Sequence, residues 1–291
     1  MHQAQSIGLN HSDDAFWGPP TAHANFCEED YVVTRYVAEL INSLTNLSYI
    51  IYAIYGIYQL RQKPTASPFR AVPYWGLMAV GICSTAFHAS LKFHTQMMDD
   101  LSMLFATTPV LHRVLTATAS RRDSVVMAVV LGSSLTALIV YHLKTDELIL
   151  HQLSFAGMVL TIAFRTTQLI KTRTEEGSVA RSQIWGMVRF GAFIFNTGFY
   201  IWILDGWACG LLRRWRGVVG LPWAWLLELH GYWHIFTAIG AYIFIAVVDH
   251  LVSGEDHEDL EKSFAWPASW AAQSIFAGKR PVAEETGKKE R

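Results

Sequence analysis

Residues 223–251 read WAWLLELHGYWHIFTAIGAYIFIAVVDHL. The run exceeds the roughly 20 mostly apolar residues that a helix needs to cross a bilayer. Two histidines, His230 and His234, interrupt it. Ionisable groups at membrane depth are costly unless they are partnered or bind a metal, so the segment reads both as a transmembrane helix and as a carrier of function.

Working outward, six further apolar stretches read as spans, with cores at 37–58, 72–91, 101–118, 125–143, 148–170 and 184–204. Asp99, Asp100, His112 and Arg113 crowd the ends of the third. Of the 291 residues, 52% are hydrophobic and 16% charged, with 11 Trp and a mean hydropathy of +0.23, a balance that excludes an ordinary soluble domain. The fold class expected is all-α: a multi-pass membrane protein built as a seven-transmembrane helix bundle. Short linkers with turn chemistry, such as Lys63-Pro64, Ser67-Pro68 and Glu176-Gly177-Ser178, imply one compact bundle without internal repeats. The expected division is an N-terminal segment 1–36, the bundle 37–253 and a C-terminal tail 254–291. The polar first 30 residues argue against a cleavable signal peptide. In the tail, Trp266 and Trp270 read equally as interfacial anchors or as part of a loose terminus, and the final GKRPVAEETGKKER reads as disordered.

Charge suggests an orientation. Arg61, Lys63, Arg70, Arg121, Arg122, Lys171, Arg173 and Arg181 fall on the face shared with the C-terminus, which the positive-inside rule places in the cytosol. The N-terminus is then lumenal, although the cluster Arg213, Arg214 and Arg216 on the opposite face weakens the bias. A sequon at Asn10 is compatible with that side. Cys27 and Cys209 share this face, and a bridge between them requires an oxidising compartment; spacing alone leaves two unpaired thiols an equal reading.

His230 and His234, four apart, lie one turn apart on one helix face and can bite a single metal ion. A lone histidine on an apolar helix is more often a hydrogen-bonded core residue. A third changes the balance: His88 ends an even span and can meet the start of an odd one on the same membrane face. Ser84, one turn before His88, shares its face, and Asp99 follows across a short connection. Three histidines and no anionic ligand leave a zinc ion its full charge and a fourth position for water, which is a hydrolytic arrangement. Asp99 then serves as general base and acid, and the Ser84 hydroxyl donates to the oxyanion that develops on a carbonyl. The plainer alternatives are a helix N-cap for Asp99 and a packing role for Ser84.

At these residues the chain resembles the alkaline ceramidases, seven-helix intramembrane zinc amidases. The resemblance covers Trp17 to about Leu251 and rests on WGPPTAHANFCEEDYVVTRYVAELINSLTN at 17–46, STAFHASLKFHTQMMDD at 84–100 and HGYWH at 230–234. It implies zinc on His88, His230 and His234, with Asp99 acting on the water and Ser84 steadying the transition state. It also implies a calcium site from Asn25, the Phe26 carbonyl, Glu28, Asp30 and Glu39, oxygens suited to a hard cation. Here the chain departs from the family: Asn25 and Asp30 exchange the usual order of Asp and Asn, and Phe26 replaces a common Trp. A solvated acidic lead-in to the first helix is the plainer reading of this segment. The resemblance further implies a Cys27–Cys209 disulfide and places Trp233 in the substrate pocket, where bundle packing explains it equally well. It sets Phe155 where a Tyr hydroxyl can contact substrate. The implied substrate is a ceramide-type lipid taken from the membrane of the endoplasmic reticulum or Golgi; no nucleic acid is expected, and no protein partner is inferable. Receptors of the progestin and adiponectin type and a glycolipid-anchor remodelling factor share the zinc-and-seven-helix plan, but the WGPP and CEED motifs argue against both. A structural zinc site in a scaffold or transporter would instead be closed by four protein ligands.

Overall fold

The computed structural model describes residues 14–254 and 263–278. The sequon at Asn10, the acidic run 255–262 and the basic end 279–291 lie outside the described residues. What is described is all-helical: α1 (Leu40–Thr45), α2 (Leu47–Arg61), α3 (Pro68–Ser90), α4 (Phe93–Leu115), α5 (Arg121–Thr145), α6 (Leu148–Arg173), α7 (Val179–Val219), α8 (Leu229–Ser253) and the short α9 (Ala268–Ala271).

The starts follow from local chemistry. Ser67, Ser120 and Ser178 turn their side chains onto the N–H groups of Arg70, Asp123 and Arg181, and Glu147 accepts from Ile149 and Leu150, so four helices begin on capped donors. Pro68 at the first position of α3 gives up no hydrogen bond there.

Among the described residues, five helical segments are long and apolar enough to cross a membrane: Leu40–Arg61, Arg121–Thr145, Leu148–Arg173, Val179–Val219 and Leu229–Ser253. The sequence reading counted seven. The two that fall short, α3 and α4, have 23 residues each but carry Ser84, His88, Asp99 and Asp100, polar groups that lower their hydropathy.

Three boundaries differ from expectation. The third predicted span begins at Phe93 rather than near 101, because Leu91 adopts a left-handed conformation (φ 50°) and Lys92 is the extended N-cap, so two residues turn the chain from α3 into α4. Asp99 therefore lies inside α4 and is not its N-cap. The sixth runs on to Val219, 41 residues in all, so Cys209 and the arginine cluster belong to the helix. At about 60 Å it is roughly twice the hydrocarbon thickness. The last begins at Leu229, after a 3₁₀ turn over Trp223–Leu227.

Helix α8 is the buried centre, packed against α7 and α2, with Tyr242, Ile243 and Val247 in the core. Helix α5 is the opposite case, since His142 is its only buried residue. At the end of α8 remote from His230 and His234, Asp249 holds Arg70 of α3 and Arg113 of α4, with N–O distances of 2.6 Å to each. Asp249→Ala removes the carboxylate both guanidinium groups share in a buried setting, and is expected to cost about 3–5 kcal/mol of stability. The unfolding midpoint in detergent checks this. Residues 263–278 fold back onto the same end: the Ala265 N–H donates to the Tyr242 hydroxyl (2.9 Å), while Trp266 stays exposed. A Cβ on Gly186 would lie 2.5 Å from the Ala271 carbonyl oxygen, so α9 approaches α7 as closely as glycine allows.

Candidate metal centre and active site

His88 comes from the last turn of α3, and His230 and His234 from the first two turns of α8. All three are buried, with ring centroids 4.6, 4.9 and 5.1 Å apart and nitrogen atoms within 4.8 Å of one another. Their tautomers follow from the surroundings. Glu39, at the N-terminus of α1, contacts His88 Nδ1, so that nitrogen donates and Nε2 keeps its lone pair. The Thr45 hydroxyl donates to the Ile41 carbonyl (2.8 Å) and accepts from His234 Nδ1 (3.0 Å), which frees His234 Nε2 in the same way.

Buried polar atoms without partners are rare and expensive. His88 Nε2 and His230 Nδ1 are two such atoms in this one cluster. Together with the carboxylate behind His88 they fit a metal ion, since outer partners of this kind orient metal-binding imidazoles. Among the described residues this is the one group of histidines, cysteines and acids that brings three ligand atoms so close.

Beside it, the Asn46 side chain donates to Ser84 Oγ (2.9 Å), and Asp99 of α4 lies next to Ser84. Asn46 is placed by the break between α1 and α2, where its side chain also reaches the Asn42 carbonyl (3.0 Å).

The N-terminal segment covers the histidine cluster through Phe26. The Phe26 ring stacks on His230 at 3.7 Å between centroids, and its N–H lies 3.3 Å from Glu39 Oε1. Of the acids expected to hold calcium, Asp30 meets Asn25 (3.3 Å) and has a buried oxygen without a partner, while Glu28 accepts from the N–H groups of Ile41 and Asn42 (2.7 and 2.8 Å) and so caps α1. Glu39 lies between Phe26 and His88, next to the metal centre rather than apart from it. Burial pushes Glu28 up to about 8, and the nearby Glu228 and Glu39 add to the effect.

A disulfide joins Cys27 to Cys209 with Cα atoms 5.3 Å apart. Arg213 and Arg216 donate to the Cys27 carbonyl (3.1 and 2.7 Å), and the fully buried Arg216 also pairs with Glu228, which precedes α8. The arginine cluster that weakened the charge argument thus partly serves as a strap. Trp233 sits in an aromatic group with Phe195, Phe199 and Trp202 on the α7–α8 face, whereas Phe155 is half-buried on α6.

Sequence reasoning missed Glu39 as the partner of His88, and Thr45 and Asn46 altogether. A signal was present: Glu39, Asn42 and Asn46 recur at helical spacing in an otherwise apolar run.

Residues 18–276 match a family model described as Ceramidase. The chain belongs to the ceramidase family. Alkaline ceramidase YPC1 of Saccharomyces cerevisiae is 28% identical over 278 residues, covering 91% of this chain and 87% of the yeast protein. Alkaline ceramidase 3 of Mus musculus is 30% identical over 232 residues, covering 79% and 84%. A putative alkaline ceramidase of Dictyostelium discoideum, dcd3A, is 24% identical over 256 residues, covering 78% and 85%. Ceramidase membership does not favour the receptor or anchor-remodelling alternatives.

Proposed function

We propose that this ceramidase hydrolyses the amide bond of ceramide-type lipids, dihydro- or phytoceramides included, releasing a sphingoid base and a fatty acid, with zinc on His88, His230 and His234. The observation that carries the reading is the group of three buried imidazoles, with Ser84 one turn before His88 on the same helix and Asp99 of α4 next to Ser84. When bound, zinc supplies a Lewis acid for the amide carbonyl and makes water acidic enough to attack near neutral pH. Asp99 takes the proton from the attacking water as the C–O bond forms, and returns it to the nitrogen as the C–N bond breaks. Ser84, steadied by Asn46, turns its hydroxyl from Asp99 to the oxyanion. Trp233 and Phe155 contact the lipid chains.

Seven crossings are the topology we propose, with α3 and α4 spanning despite their polar side chains because these face the cavity. The N-terminal segment 1–36 is lumenal, 37–253 forms the catalytic bundle and 254–291 is a cytosolic tail, in the endoplasmic reticulum or Golgi membrane. Fatty-acid release from a panel of ceramides in detergent micelles, with metal content by mass spectrometry, tests the reading. Bound metal without cleavage of any amide would sink it.

Calcium on Asn25, the Phe26 carbonyl, Glu28, Asp30 and Glu39 is supported by the excess of buried acid there. A pH dependence follows. Folding raises the Glu28 carboxyl from the ordinary 4.5 to about 8, so the folded state binds its proton more tightly than the unfolded chain does. Without a cation, stability falls as pH rises from about 4.5 through about 8. Calcium favours the charged form and flattens that slope. Melting temperatures across this range, with calcium and with a chelator, check it; identical slopes would remove Glu28 from the calcium set.

A further inference from the structure

Asp99 and Asp100 are consecutive on α4, and consecutive side chains on a helix diverge by about 100°. Asp99 turns to Ser84 on α3. Asp100 turns the other way, where His142 of α5 places Nε2 3.3 Å from its Oδ2 and His151 of α6 places Nε2 2.8 Å from its main-chain oxygen. The two imidazoles lie 5.1 Å apart, and both are buried. His142 Nδ1 faces the Glu147 carbonyl at 3.1 Å, and Glu147 caps α6. His142 therefore faces an oxygen at each ring nitrogen, which fixes the orientation of its ring.

This joint is where the α5–α6 hairpin meets the turn of α4 that carries Asp99. Apolar side chains could pack the two helices there without the cost of burying two histidines and an acid, but packing alone is not directional. Hydrogen bonds to both the side chain and the main chain of Asp100 set the rotation of that turn. Both Nε2 atoms are engaged in these bonds, which sets the pair apart from the metal-binding histidines.

The geometry points to Asp100 as a positioning residue: the grip of His142 and His151 on it aims the neighbouring Asp99 carboxylate at Ser84 and the histidine cavity. The inference rests on the role given to Asp99 above. Misplacement of a reacting group by about 1 Å can cost about a hundredfold in rate. For Asp100→Ala, kcat per metal-loaded enzyme is expected to fall by about that factor, with KM within about threefold of wild type and metal content unchanged. Asp100→Asn keeps the shape and can donate its amide to a neutral His142, so it restores most of the loss. His142→Ala follows Asp100→Ala.

An Asp100→Ala protein that melts lower but turns over normally per bound metal would make the joint merely structural and overturn the proposal. Equal losses in the Ala and Asn variants would overturn it too, since charge rather than direction would then matter. If Asp100→Ala does not fold, His151→Phe, which removes only the bond to the Asp100 carbonyl, carries the same comparison. A crystal structure of whichever variant folds gives a readout independent of activity. Asp99 turned away from Ser84 supports the inference even if no ceramide is cleaved, and Asp99 unmoved refutes it.

Discussion

His230→Ala is expected to lose the bound metal and to lower amide cleavage by about a thousandfold or more. The metal contributes several kcal/mol of transition-state stabilisation, and each 1.4 kcal/mol or so is a factor of ten in rate. His230 is the ligand to remove first because its Nδ1 is buried without a hydrogen-bond partner, whereas His88 and His234 are also tied to Glu39 and Thr45. Its loss leaves the α1 contacts of the other two histidines in place. Metal content by mass spectrometry and fatty-acid release, measured on the same preparation, check both halves. Full turnover in a metal-free variant would remove the histidines from the chemistry.

Asp99→Asn is expected to separate metal binding from turnover. General acid–base catalysis contributes about 10²- to 10⁴-fold, so kcat is expected to fall by that range while the metal stays bound. Asp99 lies next to Ser84 and is not part of the three-histidine group. Asparagine keeps the side-chain shape and an oxygen for the serine proton but cannot take a proton from water. Single-turnover kinetics on metal-loaded variant checks this. An unchanged rate would return Asp99 to a structural role.

The histidine cluster was legible because its signals are local or short-range: His230 and His234 share a face by their spacing, and His88 sits one turn after Ser84 on the same helix. Helix existence was legible for the same reason, through long apolar runs. The start of α4 was not, because the left-handed Leu91 allows a turn too short to show as a polar linker, and the helix begins with His94, Thr95 and Gln96, residues that resemble a loop. The length of α7 was also hidden. Its C-terminal extension is polar where it carries Arg213, Arg214 and Arg216, and its partners lie about 190 residues earlier in the chain, as for Arg216 and Cys27. The contacts of Glu39 with His88 and of His142 with Asp100 join different helices, so no periodicity in one segment announces them.

The cavity draws on both ends of the chain, which bears on the order of its assembly during synthesis. Cys27 waits 182 residues for Cys209, roughly 10 to 40 s at ordinary elongation rates. His230 and His234 emerge later still. Through that interval a nascent chain has His88 and its Glu39 partner but neither remaining histidine nor the bridge that holds the Phe26 roof. Completion of the three-histidine group is therefore among the last events in making the protein, and a chain cut anywhere before α8 is left without the histidine pair.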